Sequence, residues 1–216
     1  MSSDSLSGLW RTARTLGRRS RAEKPLPALL FFTDPVRTPR PESVLQALPP
    51  GAGVVFRPFG ARGALEQGRR LRAIATRRRL VFLVGADPRL AAALRADGVH
   101  LPERLAHLAL GIRRAHPRWL VTTAAHSLSA AIAARRGGAQ AVVISPVFPS
   151  ISPSAGRALG PLRFAAIARA GGLPAYALGG VNARTARRLR LGPAIGIAAI
   201  EGILEEKAYR PRTCPL

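Results

Sequence analysis

The chain has 216 residues and a formal net charge of +23, a length that is sufficient for one domain with a substantial hydrophobic core. Its single cysteine, Cys214, excludes a disulfide framework and a Cys/His zinc centre. No apolar run reaches the roughly 20 residues of a membrane span or forms a signal-peptide core. We therefore expect a cytoplasmic protein. The charge comes from arginines scattered along the chain, with Lys24 and Lys207 as the only lysines, and we therefore expect neither nucleic acid nor a membrane as the main partner.

Residues 1–25 form a basic N-terminal arm, in which arginines surround a few apolar residues such as Leu9, Trp10 and Leu16. This pattern fits either a loosely attached tail or a short helix that lies across the bottom of the domain. A regular pattern then covers residues 26–210 and leaves a C-terminal tail of residues 211–216.

Short apolar runs alternate with amphipathic segments throughout that regular region. The predicted buried strands are residues 28–34, 53–58, 80–85, 98–101, 119–124, 141–145, 175–180 and 194–200. The predicted helices are residues 41–48, 63–77, 86–96, 103–115, 127–138, 162–172, 182–192 and 201–209. Apolar strands that alternate with helices indicate a parallel sheet covered by helices. An open doubly wound sheet gives the same local signals, but eight repeats favour an α/β fold with a single (β/α)8 barrel, or TIM barrel, whose sites lie in the loops after the strands.

The longest of these loops, residues 144–160, is rich in proline and serine and follows a buried strand. A loop of this length between two regular elements is typical of a binding or lid segment.

Five stretches carry a family resemblance: GVHL (98–101), TTAAHSL (122–128), ISPVFPS (144–150), ALGGV (177–181) and GIAAIEGI (196–203). They resemble, in order and spacing, the thiamine-phosphate synthase and thiazole tautomerase family, from about Ala28 to Leu204. The resemblance implies a (β/α)8 barrel that couples a hydroxymethylpyrimidine pyrophosphate with a thiazole phosphate to give thiamine phosphate. Pyrophosphate leaves the pyrimidine methylene group in that reaction, so Mg²⁺ and basic side chains would stabilise the departing charge.

The resemblance implies two catalytic residues, Arg57 and His126. Arg57 aligns with the arginine of a Gln-x-Arg-x-Lys pattern that follows strand 2, although Val55 and Phe59 stand at the glutamine and lysine positions. A guanidinium group suits pyrophosphate because its planar fork donates two parallel hydrogen bonds. His126 lies where the tautomerase branch has a proton-transferring histidine. It could instead cap or pack against the start of the next helix.

Possible metal ligands are Asp87 and Glu103, which lie near the aligned family carboxylates that Ala86 and Leu105 replace. Both could bind Mg²⁺ from displaced positions. Asp87 precedes Pro88, however, and fits a helix N-cap equally well.

Substrate-binding and phosphate-binding positions follow strands 6, 7 and 8. They are Ser150, Ser152, Gly179, Gly180, Ile200, Glu201 and Gly202. Pro153 replaces the family's catalytic lysine, which weakens the synthase interpretation. Glycines there would let phosphate approach backbone N–H groups. Glu201 would repel phosphate unless its carboxylate points away, as a first-turn helix acid does.

Three functions remain open from the sequence. The first is thiamine-phosphate synthesis with a divergent active site. The second is metal-independent tautomerisation of a thiazole phosphate through His126. The third is a non-catalytic barrel that binds anions or nucleic acid through its arginines. The first two imply small phosphorylated thiazole and pyrimidine precursors as partners, and the oligomeric state stays open.

Overall fold

The computed structural model describes residues 4–20, 25–150 and 156–203. Eight parallel strands pair in chain order and close into a barrel, which confirms the predicted fold. The strands are β1 (Leu29–Phe32), β2 (Gly53–Phe56), β3 (Val81–Gly85), β4 (Gly98–Leu101), β5 (Leu120–Ala125), β6 (Ala141–Ile144), β7 (Ala175–Ala177) and β8 (Ala194–Ala199).

Helices cover the outside of the barrel. They are α1 (Asp4–Gly17), α2 (Pro41–Ala47), α3 (Ala64–Arg77), α4 (Pro88–Ala93), α5 (Ala109–Ala115), α6 (Leu128–Arg136) and α7 (Gly160–Gly171). Short 3₁₀ helices stand at Glu103–Leu108, Thr185–Leu189 and Glu201–Ile203. Several predicted helices are therefore shorter than expected, and the segment 103–115 divides into a 3₁₀ helix and α5. Only residues 201–203 of the predicted last helix fall within the described residues.

The strands are buried on both faces, so their side chains form two separate apolar layers. One layer fills the barrel and includes Phe32, Val55, Leu83 and Tyr176. The other packs beneath the helices. Because both faces are apolar, the sequence does not reveal which residues point inward, and the register of the closed barrel decides it.

Helix α1 belongs to this outer shell. Leu9, Ala13 and Leu16 have no exposed surface, and the helix packs mainly against β8. It also contacts the 3₁₀ helix that follows β8, and Gly17 lies beside Ala28, at the amino end of the barrel. The helical alternative is thus correct for Asp4–Gly17, but the helix runs along β8 rather than across the bottom. A loosely attached tail is wrong for these residues, because their apolar stripe is fully covered.

No helix in the described parts of the chain is long and apolar enough to span a membrane.

Candidate active site

Arg57 lies directly after β2, at the end of the barrel where the strands terminate. Its backbone N–H donates to Thr33 Oγ1 at 2.9 Å, and its Nε donates to the carbonyl oxygen of Thr33 at 2.8 Å. Its Nη2 lies 3.5 Å from Oδ2 of Asp34. The residues after β1 therefore anchor the guanidinium group at the mouth of the barrel.

Aromatic rings surround the Arg57 guanidinium group. Its Cζ lies 5.3 Å from the ring centroid of Phe32 and 5.1 Å from that of Phe59. Burial, and less strongly the nearby charge of Arg37, lowers the pKa of Arg57 to about 10, so it stays a cation at neutral pH. Its Nη1 makes no hydrogen bond to any described residue, which leaves donors for a ligand.

Asp34 organises the turn that follows β1. Its Oδ1 accepts from the backbone N–H groups of Val36 and Arg37 at 3.1 and 3.0 Å, and its Oδ2 accepts from Arg37 Nη2 at 2.9 Å. Burial alone would raise the pKa of Asp34, but the hydrogen bonds and charge of Arg37 bring it below the usual value. Asp34 is therefore ionised at neutral pH.

His100, on β4, points into the barrel beneath this cluster. Its Nδ1 lies 3.0 Å from Thr122 Oγ1, and its ring meets that of Phe32 edge-on at 4.9 Å. Burial, with a smaller contribution from the charge of Arg57, lowers the pKa of His100 to about 3, so the ring is neutral at physiological pH. The sequence predicts GVHL as a strand and as part of the resemblance, but it gives His100 no role. The available signal is a lone imidazole in an apolar strand, and its inward direction is shown only by its contact with Phe32 of the interior layer.

His126 lies on the other side of the mouth, after β5. Its Nδ1 is 2.8 Å from the carbonyl oxygen of Ser145, and its backbone N–H donates to Glu103 Oε2 at 3.0 Å. A carbonyl oxygen only accepts, so Nδ1 carries the hydrogen and Nε2 of the neutral ring keeps a lone pair. The N-cap of α6 is Ser127, which accepts from Ala130 N at 3.1 Å, so His126 is not the cap.

Both predicted metal ligands accept a backbone hydrogen bond. Asp87 accepts from Leu90 N at 2.9 Å as the N-cap of α4, the alternative role that its sequence context allowed. Glu103 accepts the backbone N–H of His126. The described residues contain no group of three or more His, Cys, Asp or Glu side chains able to hold a metal ion. Asp87 and Glu103 therefore do not belong to a magnesium centre built from three or more described side chains.

The glycines after β7 support the loop that follows β6. Gly179 and Gly180 have φ angles of 91° and 61°. A Cβ on Gly179 would lie 2.8 Å from Pro146 Cα, and one on Gly180 would overlap the carbonyl oxygen of Pro149. Their carbonyl oxygens accept from Phe148 N and from a threonine hydroxyl, both at 2.9 Å. Their N–H groups have no acceptor among the described residues and stay available to an anion.

The remaining predicted phosphate-binding residues lie nearby or outside the described parts of the chain. Ile200 is half-buried and packs against the barrel interior, and Glu201 is half-buried at the start of its 3₁₀ helix. Gly202 approaches Val181 so closely that a Cβ would overlap its carbonyl oxygen. Ser150 is half-buried, whereas Ser152 and Pro153 lie outside the described residues.

Comparison with known proteins gives a consistent result. The family model of thiamine monophosphate synthase matches residues 29–203. The chain is 31% identical over 135 residues to a putative thiamine-phosphate synthase 2 of Aquifex aeolicus, which covers 62% of this chain and 72% of the relative. It is 27% identical over 188 residues to the thiamine-phosphate synthase of Pyrococcus furiosus, which covers 86% and 90%. The solved thiamine phosphate pyrophosphorylase of Pyrococcus furiosus superposes with a TM-score of 0.68 at 29% identity, over 80% of this chain and 85% of that one.

Proposed function

Because the chain belongs to the thiamine monophosphate synthase family, whose members are transferases that couple a pyrimidine and a thiazole moiety, we propose that it forms thiamine phosphate with a rearranged active site. The substrates are then a hydroxymethylpyrimidine pyrophosphate and a thiazole phosphate. The C–O bond to pyrophosphate breaks with its electron pair, and the thiazole nitrogen forms a C–N bond to the methylene carbon.

Arg57 supports this proposal more than any other residue. It presents a cation with unused N–H groups at the mouth of the barrel, and its position is held by Thr33 and Asp34. Partial burial strengthens its interaction with a departing pyrophosphate, since the charge is poorly screened there. Fixed donors need no reorganisation as the negative charge develops.

The thiazole phosphate would lie on the other side of the mouth. The N–H groups of Gly179 and Gly180, which have no acceptor among the described residues, would bind its phosphate as a backbone anion site of the kind that barrels build after strand 7. The buried loop residues Val147 and Phe148 pack beside these glycines and shield the site from water.

Magnesium is the family's cofactor, and Mg²⁺ would neutralise pyrophosphate oxygens. Since the described residues hold no cluster of three or more metal-ligating side chains, the roles above are assigned to the chain's own arginine and backbone donors. Any dependence on Mg²⁺ then reflects an ion that arrives with pyrophosphate.

Formation of thiamine phosphate from the two purified precursors tests the proposal, with and without Mg²⁺. We expect turnover, and Arg57→Ala should weaken binding of the pyrimidine pyrophosphate. Arg72→Ala is the matched control, because Arg72 pairs with Asp97 at 2.8 Å outside the site. A folded chain that shows no turnover under either condition would contradict synthase activity, and equal effects of the two substitutions would contradict the role of Arg57.

Tautomerisation of a thiazole phosphate is the second candidate, and the fixed tautomer of His126 favours it. The Nε2 lone pair of the neutral ring can accept a proton from the substrate. His126→Ala should abolish tautomerisation with the fold intact, and His107→Ala, at an exposed histidine of the 3₁₀ helix 103–108, is the control. Retained turnover in His126→Ala would exclude this role. Nucleic-acid affinity that falls steeply with salt, without any turnover, would instead support a binding barrel.

A further inference from the structure

Two arginines converge on one carboxylate at the carboxyl end of β1. Asp34 Oδ2 accepts from Arg37 Nη2 at 2.9 Å and lies 3.5 Å from Arg57 Nη2. The two Nη2 atoms are therefore no farther apart than the sum of these distances. One carboxylate balances only one of the two cations, so the cluster keeps a net positive charge.

This excess charge is partly enclosed, unlike an ordinary surface ion pair. The side chains of Arg37, Arg57 and Asp34 are only 18%, 21% and 13% exposed. Like charges at such distances repel each other where solvent screening is weak. The charge of Arg37 is also one of the causes that lower the pKa of Arg57. A second anion would relieve this repulsion.

We infer that Arg37 and Arg57 together bind a diphosphate group, with Arg37 supplying a second cation that no sequence pattern indicated. The inference rests on the proposed function, since it adds a residue to the pyrophosphate subsite of that reaction. A diphosphate has oxygens on two phosphorus atoms, so two guanidinium forks can hold it at once. Orthophosphate offers only one such centre and should gain less from the second arginine.

Inorganic pyrophosphate is the probe, titrated calorimetrically into the full chain with orthophosphate in parallel. Arg37→Gln should weaken pyrophosphate binding about tenfold or more, the loss expected for a charge-assisted hydrogen bond. Its effect on orthophosphate should be smaller. Arg40→Gln is the matched control, since Arg40 is exposed, lies three residues away and removes the same charge without contacting Asp34. Equal pyrophosphate affinities in Arg37→Gln and Arg40→Gln would overturn the inference.

A second variant separates ligand binding from support of the turn. Asp34→Asn keeps an oxygen that accepts the N–H groups of Val36 and Arg37 but removes the negative charge that competes with the ligand. If both arginines bind diphosphate, Asp34→Asn should bind pyrophosphate more tightly than the unsubstituted chain. Unchanged or weaker binding by folded Asp34→Asn would refute the inference, even if Arg37→Gln failed to fold.

These measurements do not depend on turnover. Pyrophosphate binding with the expected pattern but no formation of thiamine phosphate would refute the proposed function and leave the two-arginine site. Turnover with equal pyrophosphate binding in Arg37→Gln and Arg40→Gln would refute the two-arginine site and leave the proposed function.

Discussion

Replacing Arg57 by methionine should leave the fold as stable as before, or more stable, while it weakens diphosphate binding. Methionine keeps much of the apolar stem that packs near Phe32 and Phe59 but removes the charge. The perturbation therefore separates the cost of holding a cation at the mouth of the barrel from the binding that this cation provides.

The size of the effect follows from the environment of Arg57. Burial is the main cause that lowers the pKa of Arg57 to about 10, and this shift corresponds to a cost of about 3 kcal/mol for keeping the group charged. Loss of the hydrogen bond from Nε to the Thr33 carbonyl removes about 1 to 2 kcal/mol of stabilisation. The free energy of unfolding should therefore stay the same or rise by up to about 2 kcal/mol.

Urea unfolding and pyrophosphate titration of the same samples measure the two effects. Arg72→Met is the control, because Arg72 makes two hydrogen bonds to Asp97, at 2.8 and 3.1 Å, away from the site. We expect Arg72→Met to lose about 1 kcal/mol of stability and to keep its affinity for pyrophosphate. A loss of more than about 2 kcal/mol in Arg57→Met would show that Arg57 mainly supports the fold. Unchanged pyrophosphate affinity would refute its place in the site.

Three further predictions concern the fold. Burial lowers the pKa of His100 to about 3, so below about pH 6.5 the unfolded chain takes up a proton that the folded chain does not. Stability should therefore fall by up to about 1.4 kcal/mol per pH unit from pH 6.5 towards 3. Urea unfolding of His100→Gln should show a flatter pH profile of stability above about pH 4.5, and an unaltered slope would contradict this assignment. Gly180→Ala should lower the stability measured by thermal unfolding by more than about 2 kcal/mol, since its φ is 61° and its Cβ would overlap backbone atoms. Gly60→Ala, with a φ of 77° but open space around it, should lower that stability by about 1 kcal/mol. Leu16→Ala should lower the free energy of unfolding by about 2 to 5 kcal/mol, because this side chain of α1 is fully buried. The exposed control Thr15→Ala should change it by less than about 0.5 kcal/mol. Equal losses in the two variants would indicate that α1 does not dock on the barrel.

Part of the site could be expected from the sequence, because it lies where strands end. The family resemblance assigns Arg57 and His126 to positions after strands 2 and 5, and parallel barrels carry their sites in the loops after the strands. The N-cap role of Asp87 was also visible, since an aspartate before a proline and an apolar run is a helix-start signal. That local role uses Oδ1 of Asp87, which accepts from Leu90 N at 2.9 Å.

Other parts of the site depend on contacts between distant segments. Asp34 and Arg57 are separated by 23 positions, and their pairing appears only when β1 and β2 align. In the sequence, helix α1 is a basic segment with few apolar residues. The role of its apolar residues is evident only in the structure, where they pack against β8. The sequence indicated a turn or phosphate loop at Gly179 and Gly180. The structure adds that a side chain at either position would collide with the loop that packs against them.

The sequence by itself determined the number and order of strands and the family, because short apolar runs, helical periodicity and five motifs are local properties. Eight repeats favoured a barrel, and the pairing of β1 with β8 closes it. The tertiary structure alone decided which side chains face the interior and which charges meet. The strands are apolar on both faces, so the inward direction of His100 is shown only by its contact with Phe32 inside the barrel. The shared contact with Asp34 arises because Arg37 lies three residues after it in the same turn, whereas Arg57 is brought to it by the pairing of β1 with β2.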